Sequence, residues 1–375
     1  MPLCSPYLTS YFRTFGANNS RAQVIKFWWK FLAAALVLLS LIAGLAIPLG
    51  PGITSVSNTI FETSNDLSFE VTGYNTAFSS EELPQVWLQN GELDPFKGSQ
   101  FICADAVSVV DGKTLSISFD PLGALPSRIC HLLIYTPTNG LMVRPNALSV
   151  GSEEGATPVS WDAECSPLAL AGTEPGYLHF PNREMLIETI RNLYLHVPMW
   201  FAMILLLLMS MIFSIKHLSS SKLEDDVKAR VFAQVGMVLG MLGLLTGMLW
   251  AKFTWGDWWV NDSRLNGSAV TLLIYMAYFI LRNSVEDESK RGRLAAVYNI
   301  FAYVMLIVFL LVLPRMVDSL HPGAGGNPAF SQYDLDNKMR LVFYPAVLGW
   351  MGMGLWMAQV RTRLSLVERK LLWKN

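Results

Sequence analysis

Two histidines and one tryptophan-rich segment are the residues of this chain that best suit ligand-binding chemistry. His196 stands in segment 194–198, and His321 precedes Pro322. Between them, segment 255–265 contains Trp255, Trp258, Trp259, Asp262 and Arg264. Neutral imidazole is a common transition-metal ligand, and two imidazoles on opposite sides of a plane satisfy the axial positions of haem iron.

The remaining side chains of segment 255–265 suit the rest of such a ligand. Indole rings offer a flat apolar wall on which a porphyrin face can pack. Arg264 can hold a propionate in a bidentate ion pair, and Asp262 can orient Arg264. The residues alone therefore predict a binding site for haem or for another small aromatic ligand.

A simpler interpretation of the same residues stays open. A single histidine at a membrane interface is commonly an interfacial anchor, and tryptophan there commonly belongs to the aromatic belt. Belt tryptophans are normally dispersed, whereas three lie within five residues here, beside Asp262 and Arg264. This clustering favours a binding site.

The composition of the chain indicates that membrane helices position these residues. Of 375 residues, 52% are apolar and 15% are charged, and the formal net charge is −1. A soluble domain carries about 25% charged residues, so an ordinary soluble enzyme is excluded, and a nearly neutral chain has no basic field for nucleic acid. A spanning helix needs about 20 apolar residues. Six stretches qualify: 28–49, 193–215, 231–250, 269–281 with its flanks, 295–313 and 341–360.

The distribution of Lys and Arg predicts the side of the membrane that each loop faces. One side carries 17 basic residues in 72 positions, in segments 1–30, 216–230, 282–293 and 361–375. The short loops of the other side, 252–265 and 315–340, carry five in 40. By the positive-inside rule, both termini face the cytoplasm. The two histidines and the tryptophan-rich segment then share the exported face.

A long segment between the first and second predicted spans has the pattern of a β domain. Asp111-Gly112 separates two runs of strand-forming residues, and Asn139-Gly140 separates two more. Such turns predict hairpins, and several short strands at this spacing predict a small β-sandwich. The expected fold is a mainly α membrane protein, with six transmembrane helices and an inserted extracytoplasmic β-sandwich-like domain.

These patterns divide the chain into three parts. Residues 1–49 form the cytoplasmic N-terminus and the first transmembrane helix, and residues 50–185 form the extracytoplasmic β-rich insert. Residues 186–375 form a five-helix core with the tryptophan-rich loop and a cytoplasmic tail.

Three of the four cysteines lie in the β-rich insert: Cys103, Cys130 and Cys165. Because the exported side is oxidising, a disulfide can form there. Cys103–Cys130 is the pair that we expect, since both residues border strand-like runs. Three buried free thiols are the alternative.

Segment 255–265 resembles the tryptophan-rich "WWD" signature, WGxxWxWDxRL, of haem-handling proteins of cytochrome c biogenesis. Segment 194–198 and Leu320-His321 resemble the histidine segments that flank this signature, in the same order and with matching helices between them. Over roughly residues 190–370, the chain is therefore similar to the CcmC-type haem protein of the CcmC/CcmF/CcsA family. Two features depart from the family pattern. Asn261 replaces the third tryptophan of the signature, and segment 50–185 has no counterpart in the compact members.

The resemblance implies a role for each site residue. His196 and His321 supply the axial ligands of haem b iron, Trp255, Trp258 and Trp259 pack on the ring, and Asp262 and Arg264 fix its propionate edge. It implies that the protein binds haem at the outer face of the cytoplasmic (inner) membrane and presents it to a periplasmic CcmE-type haem chaperone, during c-type cytochrome biogenesis. It also implies, as partners in the lipid bilayer, CcmAB-type ABC transporter subunits and a small membrane subunit.

Two other functions stay open. Related WWD proteins are cytochrome c synthases (haem lyases), but they are longer or carry further histidines inside the membrane. Here no histidine is predicted at mid-membrane, and His217 is expected in a cytoplasmic loop. The second alternative is a permease subunit of an ABC-type haem exporter, although the inverted repeats typical of permeases are not evident. The predicted role is to orient reactants, which leaves enzyme status undecided.

Small residues recur along one face of the third predicted span. These are Gly236, Gly240, Gly243 and Gly247. Small residues at this spacing let helices approach closely. We expect them to pack within the bundle, and a groove for a partner helix is the alternative.

Overall fold

The protein is described by a computed structural model that covers residues 19–62, 66–90, 100–122, 125–151, 165, 167–170, 173–183, 186–317, 319–321 and 335–372. The chain divides into two compact units. One unit is Ile47–Ile190 and contains the β strands, and the other contains the long helices.

Among the described residues, six helical stretches are long and apolar enough to cross a membrane: Phe27–Ala46, Ile187–Ser220, Leu223–Trp255, Ser263–Ser284, Glu288–Met316 and Asn337–Leu371. The prediction of six spans is confirmed. The α-helices in them are α1 (Asn19–Ala46), α2 (Leu193–Ser220), α3 (Leu223–Trp255), α4 (Ser263–Ser284), α5 (Glu288–Ile307), α6 (Leu313–Met316) and α7 (Asn337–Leu372). A π-helical turn, Val308–Val312, joins α5 to α6 within the fifth span.

Local chemistry explains where the helices around the site begin and end. Helix α3 ends at Trp255 because Gly256 takes φ +89°, a left-handed conformation that glycine adopts without steric cost. Helix α4 begins after Asp262, whose carboxylate accepts the backbone N–H groups of Arg264 and Leu265. These two caps bound the loop between α3 and α4.

The placement of His217 in a loop is wrong. Helix α2 continues to Ser220 and ends where Ser221 takes φ +55°. His217 is therefore buried in the last turn of the helix, with its Nδ1 2.9 Å from the backbone oxygen of Lys222.

The glycine face of α3 packs against α2, which confirms internal packing. A β-carbon built on Gly240 would lie 2.6 Å from the Met203 sulfur, and one on Gly236 would lie 3.0 Å from Leu207. Farther along the same face, Gly243 approaches Trp200 of α2 in the same way. Small residues at these positions let the two helices pack closely.

The β unit forms two sheets from strands β1 (Gly52–Val56), β2 (Ile60–Glu62), β3 (Leu67–Tyr74), β4 (Gln85–Asn90), β5 (Gln100–Cys103), β6 (Ala106–Val109), β7 (Thr114–Phe119), β8 (Ile129–Thr136) and β9 (Gly140–Gly151). One sheet has the order β1-β3-β7-β6, and the other has the order β2-β9-β8-β4-β5. Both sheets contribute to one buried cluster, which includes Phe69 of β3 and Leu132 of β8.

Both predicted hairpins are confirmed. Strands β6 and β7 pair antiparallel across Asp111-Gly112, where the Asp111 carboxylate accepts the backbone N–H of Thr114 at 2.8 Å. Strands β8 and β9 pair antiparallel across Asn139-Gly140, and Gly140 takes φ +71°.

The expected Cys103–Cys130 disulfide is wrong, because the structure joins Cys103 to Cys165 and leaves Cys130 a buried free thiol. Strands β5 and β8 lie on opposite sides of β4, about two strand spacings or roughly 9.5 Å from each other. Cys103 pairs with Trp87 and Cys130 pairs with Asn90, so an offset of three residues along β4 separates the two cysteines further. A disulfide needs a Cα–Cα distance below about 7 Å. Cys130 also faces the opposite side of the sheet from Cys165, which packs with Trp87 and Leu133.

Candidate functional site

The loop between α3 and α4 presents indole rings at the end of the helical unit. Trp255 is the last residue of α3, and the turn at Gly256 leads into Trp258 and Trp259. The latter two side chains are 53% and 42% exposed. Exposed neighbouring indoles form an apolar surface of the kind that a flat ligand can cover.

Asp262 is the centre of the hydrogen-bond network at this end. Its side chain is buried, and Oδ1 caps α4 by accepting the N–H of Arg264 at 2.9 Å. Oδ2 accepts the Ser319 hydroxyl at 2.7 Å and the Leu320 N–H at 2.8 Å. One carboxylate thus ties the start of α4 to the segment that carries His321.

The same carboxylate orients His321. The imidazole Nδ1 lies 2.8 Å from Asp262 Oδ1. Burial by itself would raise the pKa of the Asp262 carboxyl, but the hydrogen bonds from His321 and Ser319 outweigh burial and hold that pKa well below its usual range. The ionised carboxylate can only accept, so Nδ1 carries the proton and the lone pair of His321 is on Nε2.

Two indole rings flank the His321 imidazole. The ring centroid of Trp250 lies 5.5 Å from that of His321, and the centroid of Trp255 lies 5.0 Å from it. The two indoles also contact each other edge to face at 4.8 Å. The two indoles therefore restrict the movement of the imidazole ring from two directions.

His196 lies in the first turns of α2 and faces α3. Its Nδ1 is 2.9 Å from the backbone oxygen of Gly243 and 3.1 Å from the Thr246 hydroxyl. A β-carbon on Gly247 would lie 2.7 Å from His196 Cε1, so the imidazole occupies the space that this glycine leaves. Because a carbonyl oxygen can only accept, Nδ1 of His196 is protonated and its lone pair is also on Nε2.

The two histidines meet the same face of α3. Residues three, four and seven apart share one face of a helix. His196 packs on Gly243 and Gly247, and His321 packs on Trp250, so the contacts follow one another along that face.

The donor set fits the iron of haem. Among the residues that the structure describes, neither Nε2 atom has a hydrogen-bond partner, and each Nδ1 lies within 2.9 Å of an oxygen that can accept its proton. This is the arrangement in which histidine binds a metal through Nε2, with the other nitrogen fixed by an acceptor. The exposed indoles of Trp258 and Trp259 supply the apolar surface that a porphyrin needs.

Asn261 takes part in a chain of amides that holds one indole. Its Oδ1 accepts the side-chain N–H of Asn266 at 2.8 Å, and Asn266 Oδ1 accepts the indole N–H of Trp259 at 3.2 Å. The residue that departs from the WWD signature therefore supports a neighbouring tryptophan. Arg264 is half-buried in the first turn of α4, and the described contact of Asp262 with it is made by its backbone N–H.

Several residues around the histidines were not expected from the sequence. They are Trp250, Gly243, Thr246, Gly247 and Ser319. The α3 residues among them have a common signal, which is their spacing of three, four and seven on one helix face. Ser319 has no comparable signal, because its role depends on its distance from Asp262.

Comparison with known proteins finds relatives for the C-terminal half of the chain. A family model described as Heme exporter protein C (CcmC) matches residues 154–374, which include every candidate site residue. Heme exporter protein C of Paracoccus denitrificans is 27% identical over 183 residues, or 49% of this chain and 76% of that protein. The protein of that name from Rhodobacter capsulatus is 26% identical over 208 residues, or 54% and 83%. That from Escherichia coli K12 is 27% identical over 195 residues, or 50% and 75%.

The predicted resemblance over residues 190–370 is confirmed, since the matched region, 154–374, includes all of these residues. The matched region begins at residue 154, and so most of the β unit precedes it. This chain belongs to the heme exporter protein C (CcmC) family.

Proposed function

We propose that this multi-pass membrane protein binds haem b at the outer face of the inner membrane and presents it to a periplasmic CcmE-type chaperone during cytochrome c maturation. One observation carries the proposal. Two imidazoles lie on the same face of α3, each with Nδ1 held by an acceptor and with Nε2 free of hydrogen bonds to the described residues. The membership of the CcmC family and the relatives named heme exporter protein C support the same conclusion.

Each site residue has a part in holding the cargo. His196 and His321 bind the iron from its two sides, and Trp255, Trp258 and Trp259 pack against the ring. Arg264, in the first turn of α4, binds a propionate, and Asp262 keeps His321 and the start of α4 in place. Haem supplies the reactive vinyl edge, while the chain orients it toward the chaperone and contributes no acid or base.

The proposed topology places both termini in the cytoplasm. The excess of Lys and Arg near one set of helix ends supports this arrangement. Segment 50–185 is then a periplasmic β-sandwich-like insert, joined to residues 1–49 and 186–375, which carry the spans. CcmAB-type ABC transporter subunits and a small membrane subunit are the proposed neighbours, in keeping with the exporter names of the relatives.

Absorption spectra of the purified full-length protein test the proposal. The wild-type protein should bind added haem with the spectrum of a six-coordinate bis-histidine complex. His196→Ala and His321→Ala should each lose that spectrum and should fail to load the chaperone. His217→Ala is the matched control, since His217 is buried at the opposite end of the same helix as His196.

The control should keep the wild-type spectrum. If His196→Ala and His321→Ala also keep wild-type spectra and wild-type chaperone loading, the assignment of the axial ligands is wrong.

A further inference from the structure

We infer that the two axial histidines are unequal: Asp262 makes His321 the stronger iron ligand, and His196 is the ligand that releases haem iron first. The inference rests on the haem-binding function proposed above and adds an order to the release. It follows from the different acceptors that hold the two imidazoles.

His321 has a charged acceptor. Its Nδ1 lies 2.8 Å from Asp262 Oδ1, and Asp262 is only 2% exposed. A buried carboxylate draws the Nδ1 proton toward itself and raises the electron density on Nε2, which makes the imidazole a stronger metal ligand. The indoles of Trp250 and Trp255 pack against the imidazole and hold the ring orientation of His321.

Among the described residues, the acceptors of His196 are both neutral, and both are shared. The backbone oxygen of Gly243, at 2.9 Å from Nδ1, also accepts the hydroxyl of Thr246. The Thr246 hydroxyl, at 3.1 Å from Nδ1, is also directed at the backbone oxygen of Leu242. Asp262 Oδ1 is shared as well, since it also accepts the N–H groups of Arg264 and Leu265, but it carries a charge. Neutral acceptors polarise the Nδ1–H bond less than a buried carboxylate does, so Nε2 of His196 is the weaker donor.

The difference in donor strength sets the order of release. When the bond between His196 Nε2 and iron breaks, its electron pair stays on Nε2, and the Nδ1 proton stays in place. No electron is transferred, so the step needs no oxidant or reductant. His321 keeps the cargo on the protein while the coordination position left by His196 accepts a donor atom of the incoming partner.

Carbon monoxide identifies the ligand that leaves, because it replaces the weaker axial ligand of ferrous haem. The full-length haem complex is reduced, exposed to carbon monoxide and measured by resonance Raman spectroscopy. The Asp262→Asn variant should raise the Fe–C stretching frequency, since a weaker donor opposite carbon monoxide competes less for the same iron orbital. Thr246→Val, which removes a neutral contact of His196, should leave the frequency unchanged.

The variants are chosen to keep the fold. Asparagine is as good an N-cap as aspartate, so α4 keeps its start in Asp262→Asn. Valine has the shape of threonine and is accepted within α3. As a second measurement, the carbon monoxide complex of His196→Ala should have the wild-type frequency, and that of His321→Ala should not.

The outcomes separate the inference from the proposed function. If Thr246→Val shifts the frequency and Asp262→Asn does not, His321 leaves first and the order is reversed. If neither variant shifts it, the carboxylate does not distinguish the ligands, and the inference is overturned. If the wild-type complex lacks a bis-histidine spectrum before carbon monoxide is added, the failure lies in the proposed function.

Discussion

Asp262 serves two parts of the molecule with one carboxylate. It caps α4 through the N–H groups of Arg264 and Leu265, and it holds the segment of Ser319 and His321. A short acidic residue directly before a helix is a common N-cap, which accounts for the first role. The second role depends on a residue 59 positions later in the chain.

Replacing Asp262 with alanine should therefore cost more than the loss of a cap. Asp262→Ala should destabilise the helical unit by about 2–4 kcal/mol, since it removes the N-cap and leaves buried donors of the 319–321 segment unpaired. Thermal unfolding in detergent measures this change. Asp262→Asn, which retains the cap, should lose clearly less unfolding free energy. Equal losses in the two variants would show that the cap is not formed.

Asn261 shows how a departure from a motif can be accommodated. The WWD signature that segment 255–265 resembles has tryptophan at this position, and here the asparagine joins Asn266 in positioning the indole of Trp259. The exposed apolar surface is thereby built from one indole fewer, with an amide pair as its support.

At the scale of elements, helix α3 is the scaffold of the candidate site. Its glycine face admits α2 closely, and the last part of that face receives His196 at Gly247 and His321 at Trp250. The same small residues that pack the bundle therefore leave the space in which one imidazole is held.

A methyl group on Gly247 tests this double role. Gly247→Ala would place its β-carbon 2.7 Å from His196 Cε1, so the imidazole must move away from its acceptors. We expect haem affinity to fall by about 10-fold or more, as for other disturbed metal ligands, which titration of added haem measures. Gly236→Ala, on the same face but against the flexible end of Leu207, is the matched control and should bind haem as the wild type does.

At the scale of the whole molecule, the chain comprises two units with separate cores. All residues of the candidate site lie in the helical unit, and the Cys103–Cys165 disulfide lies in the β unit. The disulfide connects β5 with a residue 62 positions later. Closing a loop of this length restricts the unfolded chain and stabilises the folded unit.

Removal of this disulfide should affect one unit and spare the other. The double variant Cys103→Ser with Cys165→Ser should lose about 2–4 kcal/mol of β-unit stability, which limited proteolysis of that unit reports. Its haem spectrum should stay as in the wild type, because no site residue lies in the β unit. Loss of the spectrum would contradict this separation. Cys130→Ser is the control for the thiol that forms no disulfide.

Several features of the fold and site could be predicted because they are encoded locally. The six spans follow from apolar length, and the two hairpins follow from Asx-Gly turns between strand-forming runs. The family could be identified because its motif is contiguous and lies between two histidine segments in a characteristic order. None of these features requires knowledge of which distant residues touch.

The tertiary structure alone decided the pairings between distant segments. The partner of Cys103 depended on strand order and on the face of the sheet on which each cysteine lies. The end of α2 depended on packing around His217. Likewise, the pairing of His321 with Asp262 and of His196 with Gly243 arises only when α2, α3 and α4 come together. Local sequence determines which elements form because propensity and hydropathy act over a few residues, whereas contacts across a fold are set by how the elements pack.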